Sequence, residues 1–331
     1  MRKIALAISL GLLLCSCEHK DLCFDHESHA WQSAIEVTAE YELEWEYPLV
    51  PREEWSYDIP YNSLRPETPE GLRAMVYSTA YPSALTNLPP YGGVVRVPVG
   101  LSDILFQNND TEGIVFDNLD NIASAQASTR LKTRPGYSGV QVRDATVGEP
   151  DVLFAASLTG HRGVSQEEPV PVRVTMTPLV YTYYIRCEFS EGAEHIVLMR
   201  GALEGMARGV YLTTGHTTAE TCNVLFEGER TPFGAQALVR SFGVPDHRNG
   251  HFNRGGEAGR EYRINLEFRL RNGKTKTFNL DITPQMSEAP QGGVITVSGL
   301  VITPEEASGN ASGFDVEVED WGEFEDIPLV F

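Results

Sequence analysis

The chain has 331 residues, with 46 acidic against 26 basic side chains, a formal charge of −20, and 41% apolar residues. Such a length suits two domains of ordinary size, and such a charge excludes nucleic acid and anionic lipid surfaces as general partners, because like charge opposes approach. Five cysteines are too few for a disulfide scaffold.

Arg2 and Lys3 precede an apolar run from Ile4 to Leu14 that ends in Leu14-Cys15-Ser16-Cys17. A basic start followed by a short apolar stretch is the pattern of a secretory signal peptide. A small residue directly before a cysteine is what lipoprotein signal peptidase requires. The pattern therefore predicts a signal over 1–16, lipidation of Cys17, and a lipidated tether over 17–33. A run of about eleven apolar residues is too short to cross roughly 30 Å of hydrocarbon, which argues against a transmembrane helix. Cys23, His26 and His29 lie just beyond, and sulfur with imidazole suits zinc, but a cluster inside a tether lacks a fixed fourth ligand. We expect no metal site there.

From residue 34 onward the dominant signal is alternation with period two, which places successive side chains on opposite faces of a strand. Ile35, Val37, Ala39, Tyr41, Leu43 and Trp45 form one face of the first such segment; Glu36, Thr38, Glu40, Glu42 and Glu44 form the other. Further strands are predicted over Leu72–Tyr77, Gly93–Val99, Ile104–Asn108, Gly113–Phe116 and Val152–Ala156. Trp31, Trp45, Trp55, Tyr57, Tyr61, Tyr81 and Tyr91 concentrate in this half, either as packing or as the wall of a ligand groove. The Pro-punctuated stretch Pro169–Pro178 reads as extended chain where one domain closes and the next opens.

In the second half, Cys187 shares its phase with Tyr181, Tyr183, Ile185 and Phe189, which makes it a core thiol; a Cys187–Cys222 bridge is the alternative. Leu203–Val210 could form a turn or two of helix, though Gly201, Gly205 and Gly209 weaken it. Tyr262–Leu270 and Thr275–Ile282 flank Asn272-Gly273, a pair that suits a type I′ hairpin turn. Val294–Val301 and Phe314–Val318 supply more strands. His247 and His251 are read as solvated loop residues. Arg248–Lys276 carries eight basic side chains against three acids, whereas Gly313–Phe331 carries seven acids and no base. The two could pair or simply face solvent, since exposed pairs contribute only about 0–1 kcal/mol.

The pattern as a whole predicts an all-β protein of two tandem antiparallel β-sandwiches, over 34–176 and 177–331. No G-x-S-x-G elbow, H-E-x-x-H pair or Gly-rich phosphate loop occurs. We therefore expect no catalytic residue and no cofactor.

The segments Cys17-Glu-His-Lys-Asp-Leu-Cys-Phe-Asp-His26, Thr177–Arg186, Arg200–Leu212, Arg240-Ser-Phe-Gly-Val-Pro245 and Gly313–Gly322 carry a resemblance. In them the chain resembles Bacteroides-type lipoproteins of the DUF5119 group, related to the FimB/Mfa2 fimbrial anchor and assembly proteins. The resemblance implies transthyretin-like, Greek-key sandwiches, a lipid anchor in the outer membrane with display at the cell surface, and fimbrial subunits as partners joined by lending a strand to an open sheet edge. The last residues of the tail, Ile327, Leu329, Val330 and Phe331, are the candidate partner-binding element. A surface glycan- or ligand-binding lipoprotein without catalysis is the alternative.

Overall fold

The structure is a computed structural model in which residues 33–43, 52–133, 144–166, 168–247, 260–309 and 325–326 are described. It is nearly all-β. In chain order the strands are β1 (Ser33–Tyr41), β2 (Leu72–Ser78), β3 (Ala84–Leu88), β4 (Gly92–Val97), β5 (Gly100–Asn108), β6 (Ile114–Asp117), β7 (Gln126–Thr129), β8 (Lys132–Thr133), β9 (Ala145–Val147), β10 (Phe154–Gly163) and β11 (Val170–Pro178). The second half continues with β12 (Tyr181–Glu191), β13 (Ile196–Ala207), β14 (Gly209–Tyr211), β15 (Thr221–Thr231), β16 (Gly234–Ser241), β17 (Arg263–Leu270), β18 (Thr275–Asp281), β19 (Gly293–Val301) and β20 (Glu325–Asp326). Two short helices, α1 (Thr283–Glu288) and α2 (Pro304–Ala307), follow β18 and β19.

The first large sheet has the order β3-β2-β5-β10-β11-β1-β4. Its terminal strands, β3 and β4, are separated by only three residues of chain, so the sheet curls back on itself. Ile35, Leu72, Leu88, Val95, Ile104, Phe106, Phe154 and Met176, drawn from all seven strands, meet on the enclosed face. Alternation explains β1, whose Ile35, Val37 and Ala39 point inward while Glu36, Thr38 and Glu40 face water. β2 and β5 are apolar on both faces because their other side, Met75, Tyr77 and Leu105, is also covered.

The second large sheet runs β18-β17-β13-β15-β16-β12-β19, with β9 paired to β15. Its enclosed cluster includes Tyr183, Cys187, Met199, Phe226, Ile264 and Phe268. Between the two sheets a three-stranded sheet, β14-β7-β6, joins chain from both halves, with Ala127, Val210, Leu212 and Phe242 packed against Met75, Tyr77 and Leu105. The first sheet ends at Pro178 and β12 of the second begins at Tyr181, while β9, from the first half of the chain, joins the second sheet.

Several sequence expectations change. Leu203–Val210 is strand, not helix: β13 carries through to Ala207, and Gly205, at φ +85°, sits where the register with β15 shifts. Asn272-Gly273 turns the chain, but not as a type I′ turn. Gly273 N–H bonds to Leu270 C=O at 2.8 Å, Leu270 N–H bonds to Lys274 C=O at 2.9 Å, and only Gly273 has positive φ, +79°. This is a three-residue hairpin loop in which Gly273 takes the left-handed position of a bulge. Cys187 and Cys222 are both free and buried. Burial pushes the Cys222 thiol up to about 12 and Cys187 up as well, so neither forms a thiolate readily. His247 is buried rather than solvated, its backbone exchanging hydrogen bonds with Thr217. His251, Phe314–Val318 and the Cys23, His26, His29 cluster lie outside the described residues.

A split sheet as candidate strand-acceptor site

Cys17, the expected lipidation site, and Ile327, Leu329, Val330 and Phe331, the expected partner-binding element, lie outside the described residues. The aromatic groove fares differently. Trp55 and Tyr61 meet edge to face at 5.1 Å, and Tyr57 does the same with buried Tyr184 at 5.6 Å. Arg186 lies over Tyr57 and reaches Asp58 at 3.1 Å. These rings therefore fasten the 55–61 segment onto β12, and Tyr41 packs likewise on Phe154 at 5.1 Å. Trp31 and Trp45 lie outside the described residues.

The sheet edges are more informative. An unpaired strand edge offers a row of N–H and C=O groups to any other chain, so proteins cover or break such edges. At β19 the edge is met by a side chain: Gln285, from α1, donates to Thr296 C=O at 3.0 Å and accepts from Thr296 N–H at 2.8 Å. A side-chain amide thus occupies the place of a neighbouring strand. At β18 the solvent face carries Thr275, Thr277, Asn279 and Asp281, while half-buried Lys276 on the other face, over the Phe278 ring, is ion-paired to Glu306 of α2. Lys274 of the same hairpin donates to Ser308 C=O at 2.9 Å. Lys274 and Lys276 therefore serve the 303–308 turn, while Arg271 donates to Glu194 C=O.

Inside the first sheet an opening remains. β10 pairs with β5 over seven residues and β11 with β1 over seven, yet β10 and β11 pair with each other only at Phe154–Pro178 and Ala155–Thr177. Beyond Ala155 and Thr177 the two strands separate around a cleft of about 300 Å³ lined by Ser157, Leu158, Arg173, Thr175 and Thr177. Leu212–Gly215 roofs it, with the Ser157 hydroxyl 3.5 Å from Thr213 C=O. At the other end of β10, a Cβ on Gly163 would lie 2.1 Å from Pro98 O, so only glycine fits there. Pro171 of β11 has no N–H to lose, which suits a strand left without a partner on one side.

A second split exists in the other large sheet and is filled. β15 and β16 pair only at Glu229–Gln236, Arg230–Ala235 and Thr231–Gly234. Farther along, β15 takes β9 as its neighbour instead, in parallel register from Cys222–Ala145 to Val224–Val147. Two residues after β9, Glu149 accepts a hydrogen bond from Arg240 N–H of β16 at 3.0 Å. Burial raises the Glu149 carboxyl above its ordinary value, while the Arg240 N–H and guanidinium pull it back down. Three residues and one carboxylate from the first half of the chain thus satisfy an opening in the second sheet.

Ser157, Thr175, Glu149 and Gln285 were not singled out by the sequence, because strand pairing is set by residues far apart in the chain. One signal pointed to the region: the repeated prolines at 169 and 171.

The chain belongs to the DUF5119 family, a domain of unknown function, which matches residues 56–227. Among solved structures it is similar to a candidate adhesin from Bacteroides ovatus, at 15% identity and a TM-score of 0.56, covering 83% of this chain and 90% of that one. It is also similar to the fimbrial anchor protein Mfa2 from Porphyromonas gingivalis, at 11% identity and a TM-score of 0.43, covering 80% and 90%. No curated protein matches the chain.

Proposed function

We propose that this chain is a non-catalytic anchor or accessory subunit of surface fimbriae, held at the outer membrane through acylated Cys17 and joined to neighbours by strand complementation. The observation that carries the reading is the split between β10 and β11, in which no strand lies among the described residues. Two backbones facing one another across a gap recognise an extended strand through main-chain hydrogen bonds, which is the mode of β-strand addition. The second sheet illustrates the same solution within one molecule, where β9 fills the opening beside β15. The candidate adhesin from Bacteroides ovatus supports an adhesive setting for this fold. In the same reading, Ile327, Leu329, Val330 and Phe331 form the element this subunit lends in return.

Ser157→Trp tests the acceptor. An indole at Ser157 fills the cleft, so the variant is expected to fold and reach the membrane yet leave fimbriae unattached. Normal attachment with a filled cleft places the joint elsewhere. Anchoring is tested separately by Cys17→Ser: three acyl chains exceed the two signals needed for stable attachment, and their loss should move the protein from the membrane to the soluble fraction. A variant that stays on the membrane and still incorporates palmitate refutes lipidation at Cys17.

A further inference from the structure

Among the described residues, three exposed aliphatic side chains share one end of the first sheet: Val99 at 44%, Leu101 at 66% and Val164 at 46% exposure. β5 and β10 run antiparallel, with Gly100 opposite Gly163 and Leu101 opposite Arg162, so Val99 and Val164 flank the last pair of that ladder. β1 begins at the same corner. Its Ser33 faces Val97 of β4, and Ser33 Oγ would lie 3.3 Å from a Cβ on Gly163. β11 starts there too, with Val170 opposite Ile35, and leads away to Pro178 and on to β12. The second large sheet therefore continues from the opposite end.

Exposed apolar residues standing singly need no explanation, but a cluster marks a contact surface. Three observations fit this one to lipid. Cys17 lies sixteen residues before Ser33, a length of chain that reaches at most about 55 Å. Acyl chains on Cys17 therefore hold this end of the sheet toward the bilayer, rather than the end that leads to β12. The charged side chains beside the cluster balance: Arg96 and Arg162 are exposed cations, Glu168 is an exposed anion, and Asp103 accepts from Gly160 N–H at 2.7 Å. This end thus lacks the repulsion from headgroups that a charge of −20 imposes on the chain as a whole. All three apolar side chains are aliphatic, and burying such surface at the acyl boundary is favourable.

We propose that the corner formed by Val99, Leu101 and Val164 rests on the bilayer surface, its aliphatic side chains at the boundary between headgroups and acyl chains. Acyl chains alone fix the distance of a subunit from the membrane but not its orientation. Contact at this corner stands the first sheet on the bilayer and points the second sheet away from it. The inference rests on acylation at Cys17, as the fimbrial reading has it, and is independent of which subunit binds at the β10–β11 split.

Nitroxide labels test it on the acylated protein in phosphatidylcholine vesicles, in a Cys23→Ser background whose other thiols, Cys187 and Cys222, are buried. Leu101→Cys and Val164→Cys place labels in the corner, and Leu238→Cys places one on β16 of the second sheet. All three side chains are exposed, so the labels are not expected to disturb packing. On vesicles, the labels at 101 and 164 should lose accessibility to a water-soluble nickel chelate several-fold and gain accessibility to oxygen, while the label at 238 stays open. In the Cys17→Ser protein without lipid, all three should be comparably open. Labels at 101 and 164 that remain as open as the one at 238, on protein held by the vesicles, overturn the proposal and leave the anchor intact. Shielding already present without lipid assigns the corner to contact between copies and also overturns it. Protein that does not stay with the vesicles refutes acylation at Cys17 itself, and the proposal falls with it.

Discussion

The two large sheets meet the same structural problem and resolve it differently. Each contains adjacent strands that pair at one end and part at the other. In the second sheet the opening between β15 and β16 receives β9 and the Glu149 carboxylate. In the first, the opening between β10 and β11 holds no strand among the described residues and is lined by serine, threonine and arginine side chains. A buried peptide group without a partner costs as much as a lost hydrogen bond, or more. The filled opening is therefore a structural element, whereas the other is bordered by solvent-exposed Ser157, Arg173 and Thr175, where water can serve the peptide groups. That contrast is the physical basis for proposing a partner site in the first sheet.

The most damaging way to break the filled sheet is to strand a charge in it. Arg200 of β13 and Glu267 of β17 face each other in register, their side chains 5% and 3% exposed, with Arg200 Nε donating to Glu267 Oε2 at 2.6 Å. Arg200→Met leaves Glu267 buried without its partner and should cost about 3–5 kcal/mol; urea unfolding measures it, and a loss below 1 kcal/mol, roughly the value of a surface pair, would contradict this role.

A smaller effect is expected from disturbing the filler itself. Thr146→Pro removes an N–H from the middle of β9 and should cost about 1–3 kcal/mol while speeding amide exchange along Cys222–Val224. If stability and exchange are unchanged, β9 does not hold the second split closed.

Gly273→Val probes the hairpin at the sheet's outer edge. A Cβ at Gly273 meets nothing within 4 Å, so the whole cost is the positive φ, on the order of 1–3 kcal/mol. Thermal melting checks it, and an unchanged melting temperature would show that the loop relaxes to another geometry.

The mildest change is Glu149→Gln, which keeps an acceptor for Arg240 N–H. Because the folded carboxyl is raised, its contribution to stability is present below its unfolded value, near 4.3, and is lost as pH rises through the folded value. The parent should thus gain stability relative to the variant as pH falls from 7 toward about 4.5. A parent that instead loses ground over this interval would reverse the assigned direction.

Much of the strand framework was legible in the sequence, for a local reason. β1, β4 and β18 have one dry and one wet face, so alternation marks them directly, and Arg271–Lys274 announces a turn through Asn272-Gly273. β13 was harder to read because Ala202, Leu203, Met206 and Ala207 bury both faces and Gly205 breaks the phase. The turn type was misjudged because Asn-Gly is compatible with both the two-residue and the bulged three-residue loop, and cross-strand register decides between them. His247 looked solvated from its Gly-rich surroundings, but its hydrogen bonds with Thr217 come from a strand-connecting loop thirty residues away. The splits were invisible for the same reason: parallel β9–β15 pairing joins residues 145–147 to 222–224, and no local pattern encodes such a contact. Only Pro169 and Pro171 left a trace of the open edge.

Residue-resolved amide hydrogen exchange on the isolated subunit tests the central contrast most directly. Ser157–His161 of β10 and Arg173–Thr175 of β11 border the open split, and Leu238–Arg240 of β16 borders the filled one. The account predicts fast exchange for the amides on the open side of β10 and β11, slow exchange at Arg240, and new protection at β10 and β11 alone when the partner fimbrial subunit is added. Strong protection across β10 and β11 in the isolated protein, unaltered by the partner, would contradict it.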